Sequence, residues 1–309
     1  MNPMPHSPFK RIMALVVIAL GWSPSATAAR SFYVAGTDGV PLAVSEVGPN
    51  GAPAILFLHG LGQGRESFAP QFSSSLATKY HLVAFDLRGH AMSGKPWDES
   101  AYTNPETWAG DVQRVIAATG LKRPVIVAWS YGTLVAADYI RAQGAKAVAG
   151  LILVSSLGGL VDTAPPAGPV PPDLVRSRQL RAGVELADQR EAQRLLAPYL
   201  TGPTISSEWR ANALAMGTMV PPFVDVALRK HKAMNRDLVT GIGVPVLIIF
   251  GKLDTAIQEK AVNKLVSELP RGRASRFDES GHSPFAEDPE RFNQELSRFV
   301  DSASQGEQK

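Results

Sequence analysis

Five short, nearly unbroken apolar runs constrain this chain more than any other feature. They fall at 54–58, 81–85, 125–129, 151–154 and 244–250. Each lacks the alternation of a half-exposed strand and is shorter than a typical helix. Each therefore reads as a strand covered on both faces. Stretches of helical character separate them, at 66–79, 131–143, 259–269 and 289–300, with another strand at 274–277. A further helix is expected from Asn104 to about Ala118. Asn104 would be its N-cap, Pro105 its first turn and Gly120 its stop. Residues 32–34 and 42–47 read as a hairpin around Thr37-Asp38-Gly39. Alternating strands and helices imply an α/β fold, a mostly parallel sheet flanked by helices.

The alternation breaks between Leu157 and Gly243. Pro165, Pro166, Pro169, Pro171 and Pro172 open the interval. Helical candidates follow at 173–180, 185–200, 207–219 and 224–235, with no strand pattern between them. An interval of about 85 residues is too long for a plain crossover. It reads as an inserted helical cap, 157–242, after the sixth strand. The core would then comprise 29–156 and 243–309. A length of 309 residues suits one large domain with such an insertion.

Residues 1–28 read as a segment apart from the fold. Lys10 and Arg11 precede an apolar run over 12–22, then Ser23-Pro24-Ser25-Ala26-Thr27-Ala28. This is the charged, apolar, A-x-A plan of a signal peptide. The run is shorter than the ~20 residues that span a bilayer. Cleavage after Ala28 would remove Lys10 and Arg11 from a formal charge of +3 and leave no stable membrane span. The expected location is the periplasm or beyond the cell. Zero Cys excludes a thiol nucleophile, a thiolate zinc site and a disulfide scaffold. No Lys/Arg block marks a nucleic-acid surface. The expected partner is a small-molecule substrate, and no metal or organic cofactor is called for. The pattern says nothing of oligomeric state.

The residues with chemistry sit where strands end. Ala128-Trp129-Ser130-Tyr131-Gly132 joins a buried strand directly to a helix. A Ser at such an elbow is exposed by a strained turn, and small residues two before and two after let strand and helix approach. The usual G-x-S-x-G has Ala128 in place of its first Gly. A Ser hydroxyl needs a base. His282, in Ser280-Gly281-His282-Ser283-Pro284, follows the last strand. Asp254 follows the strand at 244–250, and Asp278 and Asp162 are rival acids. The order Ser130, Asp254, His282 is that of a triad supplied by successive strand ends. His59-Gly60-Leu61-Gly62 follows the first buried strand. Its backbone could join that of Tyr131 in an oxyanion hole made by the N–H groups of Leu61 and Tyr131. The His59 side chain reads as a brace for that turn.

These motifs together resemble the α/β-hydrolase superfamily, and within it the capped esterase and non-heme chloroperoxidase-like serine hydrolases. The resemblance extends from Phe32 to about Val300. Asp86-Leu87-Arg88-Gly89-His90-Ala91-Met92-Ser93 is similar to that family's structural D-x-R-G-x-G-x-S turn, with Ala91 for a Gly. The resemblance implies Ser130 as nucleophile, His282 as base, Asp254 as acid, and Leu61 and Tyr131 as oxyanion donors. Dehalogenases and epoxide hydrolases of this fold use an Asp nucleophile, which position 130 does not supply. The turn at 59–62 differs from the GGG turn of many lipases, which favours small or medium esters. Trp129, Trp209 and Met216 are candidates to line an acyl pocket. The expected activity is ester cleavage through an acyl-enzyme. Amide, lactone or carbon–carbon bond hydrolysis on the same triad, or ligand binding at a vestigial site, are the alternatives.

Overall fold

A computed structural model describes residues 29–162 and 169–305. The expected leader, 1–28, lies outside them. Eight strands form one sheet: β1 Arg30–Ala35, β2 Pro41–Val47, β3 Ala54–Leu58, β4 His81–Phe85, β5 Val125–Trp129, β6 Gly150–Val154, β7 Val246–Gly251 and β8 Gly272–Phe277. The helices are α1 Ala69–Phe72, α2 Leu76–Lys79, α3 Ser100–Thr103, α4 Pro105–Thr119, α5 Gly132–Gln143, α6 Pro172–Arg181, α7 Leu186–Leu200, α8 Ser207–Thr218, α9 Pro222–Leu228, α10 Glu259–Glu268, α11 Pro284–Glu287 and α12 Pro289–Gln305.

The strand order is β1-β2-β4-β3-β5-β6-β7-β8. The β1–β2 and β2–β4 pairs are antiparallel, and every other pair is parallel. β3 through β6 are buried at every residue, which is why their sequences run apolar without alternation. Trp108, Val112 and Val115 of α4 join Val135 and Ala136 of α5 and Val262 and Leu265 of α10 in one core. Phe292, Leu296 and Phe299 of α12 join Phe285 and Leu76 in a second. Strand neighbours divide between these cores: Leu56 and Leu58 lie in the first, Ile55 and Phe57 in the second. That is the pleat's alternation expressed as two faces.

Strand order reverses at β3, which has β4 on one side and β5 on the other. A crevice opens at such a switch point beyond the strands' carboxyl ends. The turn at Gly60 and the elbow at Ser130 both lie there.

Local chemistry explains where elements start and stop. Asn104 Oδ1 accepts from Glu106 N at 3.0 Å, capping α4. Gly120 closes that helix at φ 68°. The expected single helix over 66–79 is instead a 3-10 turn, α1 and α2, broken at Ser73-Ser74-Ser75. Ser73 Oγ donates to Ala69 O and Ser74 Oγ to Gln71 O, both at 2.8 Å. Such hydroxyls compete with the helical ladder. β7 starts at Val246 rather than 244, because Pro245 has no N–H for the ladder and contributes only its carbonyl, to Leu151 N at 3.0 Å. α6 to α9 occupy the interval between β6 and β7, where the described residues carry no strand. α9 ends at Leu228, short of the expected 235. Asn235 is pulled toward the core, its N and Nδ2 donating to Gly159 O and Gly158 O at 3.1 and 2.8 Å.

The D-x-R-G turn after β4 is a structural knot. Arg88 is fully buried and forks onto Asp111 of α4, with both N–O distances 2.7 Å. Asp86 accepts from Arg65 N at 2.7 Å and Met92 N at 3.0 Å. Ala91 stands at φ 36°. That left-handed conformation is the reason glycine suits the position.

Candidate active site

Between β5 and α5, Ser130 and Tyr131 turn the chain. Ser130 sits at φ 52°, where few non-glycine residues settle. Its N–H donates to Val154 O of β6 at 2.9 Å, so the neighbouring strand anchors the strained turn. A Cβ on Gly132 would lie 2.4 Å from Leu58 O, which restricts the position to glycine. Ala128 is fully buried.

The turn after β3 lies against this elbow. Gln63 N donates to Gly60 O at 3.1 Å, and Gly62 has φ 72°, as a type II turn requires. A Cβ on Gly60 would lie 3.1 Å from Ser130 Cβ. His59 braces the turn: its Nδ1–H donates to Gly60 O at 2.8 Å and its Nε2 accepts from Leu87 N at 2.9 Å. Burial lowers its pKa to about 4, which keeps the ring neutral and able to accept. Among the described residues, the backbone N–H groups of Leu61 and Tyr131 have no hydrogen-bond partner. The start of α5 points the positive end of its dipole at the same place.

His282 follows β8. Its Nδ1 lies 2.8 Å from Asp254 Oδ2. Asp254 follows β7, and its Oδ1 accepts from Ala256 N at 2.8 Å. Of the three candidate acids, Asp254 is the one that meets His282. Asp278 is exposed and accepts from Arg276 Nε at 2.9 Å, and Asp162 stands exposed at the cavity rim. The His282 loop is held from several sides. Trp129 Nε1 donates to His282 O at 2.7 Å. Buried Glu287 accepts from Gly281 N, Ser283 N and Gly202 N at 2.8, 3.0 and 2.7 Å. Burial raises the Glu287 pKa, and these three N–H groups oppose the rise. Sequence reasoning missed Glu287. The available signal was an acid in the first turn of a helix that starts with Pro284.

Ser130 and His282 line one cavity of about 610 Å³ with Leu61, Tyr131, Leu134 and Ile257. A group placed there faces a hydroxyl, an imidazole backed by a carboxylate, and two unengaged backbone donors.

Trp129, Trp209 and Met216, expected to contact substrate, do not line this cavity. Trp129 and Trp209 pack against each other and against Phe285. Trp209 Nε1 donates to Ser67 O at 2.9 Å, which docks α8 on the core. Met216 is buried with its Sδ against Gly64. Elbow geometry turns Ser130 toward the crevice and leaves Trp129 in the core of the opposite face. The cavity's wall comes instead from 155–159 and 161–162, which follow β6, from Ala233 and from 256–258. Among the described residues no group of three or more His, Asp or Glu is placed to hold a metal ion. No single helix among them is long and apolar enough to cross a membrane.

Known proteins share this architecture. The chain is 28% identical over 277 residues to an AB hydrolase superfamily protein of Bacillus subtilis, covering 87% of this chain and 99% of that one. It is 25% identical over 293 residues to a bifunctional esterase/perhydrolase of Acinetobacter calcoaceticus, covering 87% and 99%. Among solved structures it is similar to the esterase RhEst1 from Rhodococcus sp. ECU1013, at 29% identity and TM-score 0.78, covering 88% and 99%. The profile of the alpha/beta hydrolase family matches residues 55–295. That span holds the elbow, the turn after β3 and both members of the His282–Asp254 pair, and the chain therefore belongs to the alpha/beta hydrolase family, as an esterase-like hydrolase.

Proposed function

We propose that this protein is an exported serine hydrolase that cleaves small or medium carboxylic esters through an acyl-enzyme. The observation that carries the reading is the 2.8 Å His282–Asp254 contact, opening on the cavity that Ser130 also lines. In this reading the Ser130 hydroxyl attacks the ester carbonyl while His282 Nε2 takes its proton. His282 then gives that proton to the departing alcohol. Asp254 holds the Nδ1–H, which leaves Nε2 free as the base, and it stabilises the imidazolium. The Leu61 and Tyr131 N–H groups receive the oxyanion, where one donor contributes ~3 kcal/mol of transition-state stabilisation. Water, activated by His282, then cleaves the acyl-enzyme. Export rests on the plan of residues 1–28 and is checked by fractionating the producing cell.

The test is hydrolysis of p-nitrophenyl esters, acetate through palmitate, by the parent protein and by Ser130→Ala, with fluorophosphonate labelling of both. Turnover of short and medium esters by the parent alone supports the reading. Equal turnover by Ser130→Ala overturns it. Labelling of Ser130 without ester turnover moves the activity to an amide, lactone or carbon–carbon bond. Absence of both leaves a ligand-binding protein.

A further inference from the structure

Behind the elbow lies a second, buried cluster of titratable groups that ester cleavage does not use. Tyr131 Oη lies 2.9 Å from His231 Nδ1. On the other side of the ring, His231 Nε2 comes within 2.8 Å of Asp138 Oδ2, although that oxygen lies off the line of the ring N–H. The side chains of His231 and Asp138 are 0% and 2% exposed. The imidazole stacks on Trp108, with centroids 5.8 Å apart and planes 13° apart. Trp108 also meets the Tyr131 ring edge-on at 5.7 Å.

We infer that His231 is a positioning residue: backed by Asp138, it holds Tyr131 by its hydroxyl and so aims the Tyr131 backbone N–H at the oxyanion. The inference rests on the oxyanion role proposed above. A carboxylate at 2.8 Å favours a proton on Nε2, so Nδ1 accepts from the Tyr131 hydroxyl. Burial, with the Asp138 charge adding, pushes the Tyr131 pKa well above its ordinary value, so the phenol keeps the proton it donates. Tyr131 and Asp138 stand at 131 and 138, two turns apart on one face of α5, and His231 spans them. His231 itself follows α9, in the interval between β6 and β7. The clasp therefore ties that interval to the residue beside the nucleophile. The peptide that carries the Tyr131 N–H is held at its Ser130 carbonyl by Thr133 N and Oγ1, at 3.0 and 2.6 Å, and the His231 clasp adds a restraint from the Tyr131 side chain.

The test compares Tyr131→Phe, His231→Leu and His231→Asn. The Asn amide oxygen falls where Nδ1 was and restores the acceptor. The readouts are the rate of fluorophosphonate labelling at Ser130, kcat and KM for p-nitrophenyl butyrate, and Tm. The phosphonyl oxygen enters the oxyanion site, so labelling reports on it without regard to the substrate. Tyr131→Phe and His231→Leu are each expected to slow labelling and kcat roughly 10-fold with KM little changed, a fraction of the effect of losing a donor outright. Their double variant is expected to be no slower than either alone, and His231→Asn to recover most of the rate. Parent-like labelling in Tyr131→Phe, multiplying effects in the double variant, or His231→Asn as slow as His231→Leu overturns the inference. A parent that labels but turns over no ester overturns the ester reading alone. A parent that does not label overturns both.

Discussion

Of the two positions where alanine stands for the family's glycine, Ala128 lies in the regular strand β5 and Ala91 is strained. Ala91 takes a position at φ 36° that glycine adopts without penalty. Ala91→Gly is expected to stabilise the protein by about 0.5–1 kcal/mol, read as a rise in Tm of a few degrees. An unchanged or lowered Tm would show that flexibility added to the unfolded chain offsets the relief. Two buried imidazoles carry a pH dependence. Burial lowers the pKa of His59 to about 4, and burial together with the His59 charge lowers that of His90 to about 3. Unfolded histidines titrate near 6.5, so between about 6.5 and 4 the unfolded chain binds more protons than the folded one. Stability from His59 is thus full above pH 6.5 and declines as pH falls toward 4, by about 3 kcal/mol. Urea melts at pH 7.5 and pH 5 check this. His90→Gln should make the decline shallower, and an equal decline in that variant would count against it.

Among the elements, boundaries made by contact were not legible, and those written in local chemistry were legible only where one reading of the local residues was available. The α4 cap at Asn104 and stop at Gly120 follow from residues within the helix's own ends. The break at Ser73–Ser75 was locally written too, but three hydroxyls in a row read equally well as a polar helix face. The end of α9 depends on Asn235 reaching Gly158 and Gly159, residues far away in sequence. The His282 loop carries the base of the proposed mechanism, and Glu287 gathers its backbone. Glu287→Ala leaves the Gly202, Gly281 and Ser283 N–H groups without their acceptor. The expected loss is about 3 kcal/mol, with a fall in kcat as His282 loses its fixed orientation. Thermal melts and ester kinetics read the two effects. An unchanged kcat would mean that the Trp129 and Asp254 contacts suffice to hold the imidazole.

At the scale of the whole molecule, an aromatic cluster joins the sheet, the interval between β6 and β7 and the histidine loop. Phe285 meets Phe68, Trp129, Trp209 and Phe292 at centroid distances of 5.0, 4.9, 6.1 and 6.0 Å. It therefore packs α11 and α12 against the core while Trp209 docks α8 on the same ring. Phe285→Ala opens a cavity at this junction and is expected to lower stability by about 4 kcal/mol, with Tm falling by roughly 10 °C. Calorimetry checks it, and a fall below about 1 kcal/mol would show that the cluster closes over the gap.

Short-range pattern suffices for the strands, for the parallel pairing from β3 to β8 and for placing Ser130, Asp254 and His282 just after strand ends. Strands buried on both faces must be apolar throughout, and an elbow must keep small residues around its Ser, so both leave short-range marks. The order Ser130, Asp254, His282 was legible for the same reason, since each follows a recognisable strand. Which side chains meet follows from how the whole chain packs. Three acids were available to His282 by sequence, and the β7 turn brings Asp254 to it. Trp129, Trp209 and Met216 were suited by residue type to either a pocket or a core, and the direction in which each element faces places them outside the cavity that Ser130 and His282 line. Tyr131, His231 and Asp138 carry no shared motif, because their contact depends on how the chain after α9 folds back on α5. Local patterns record what one segment needs for itself; contacts between distant segments arise from burying all of them at once.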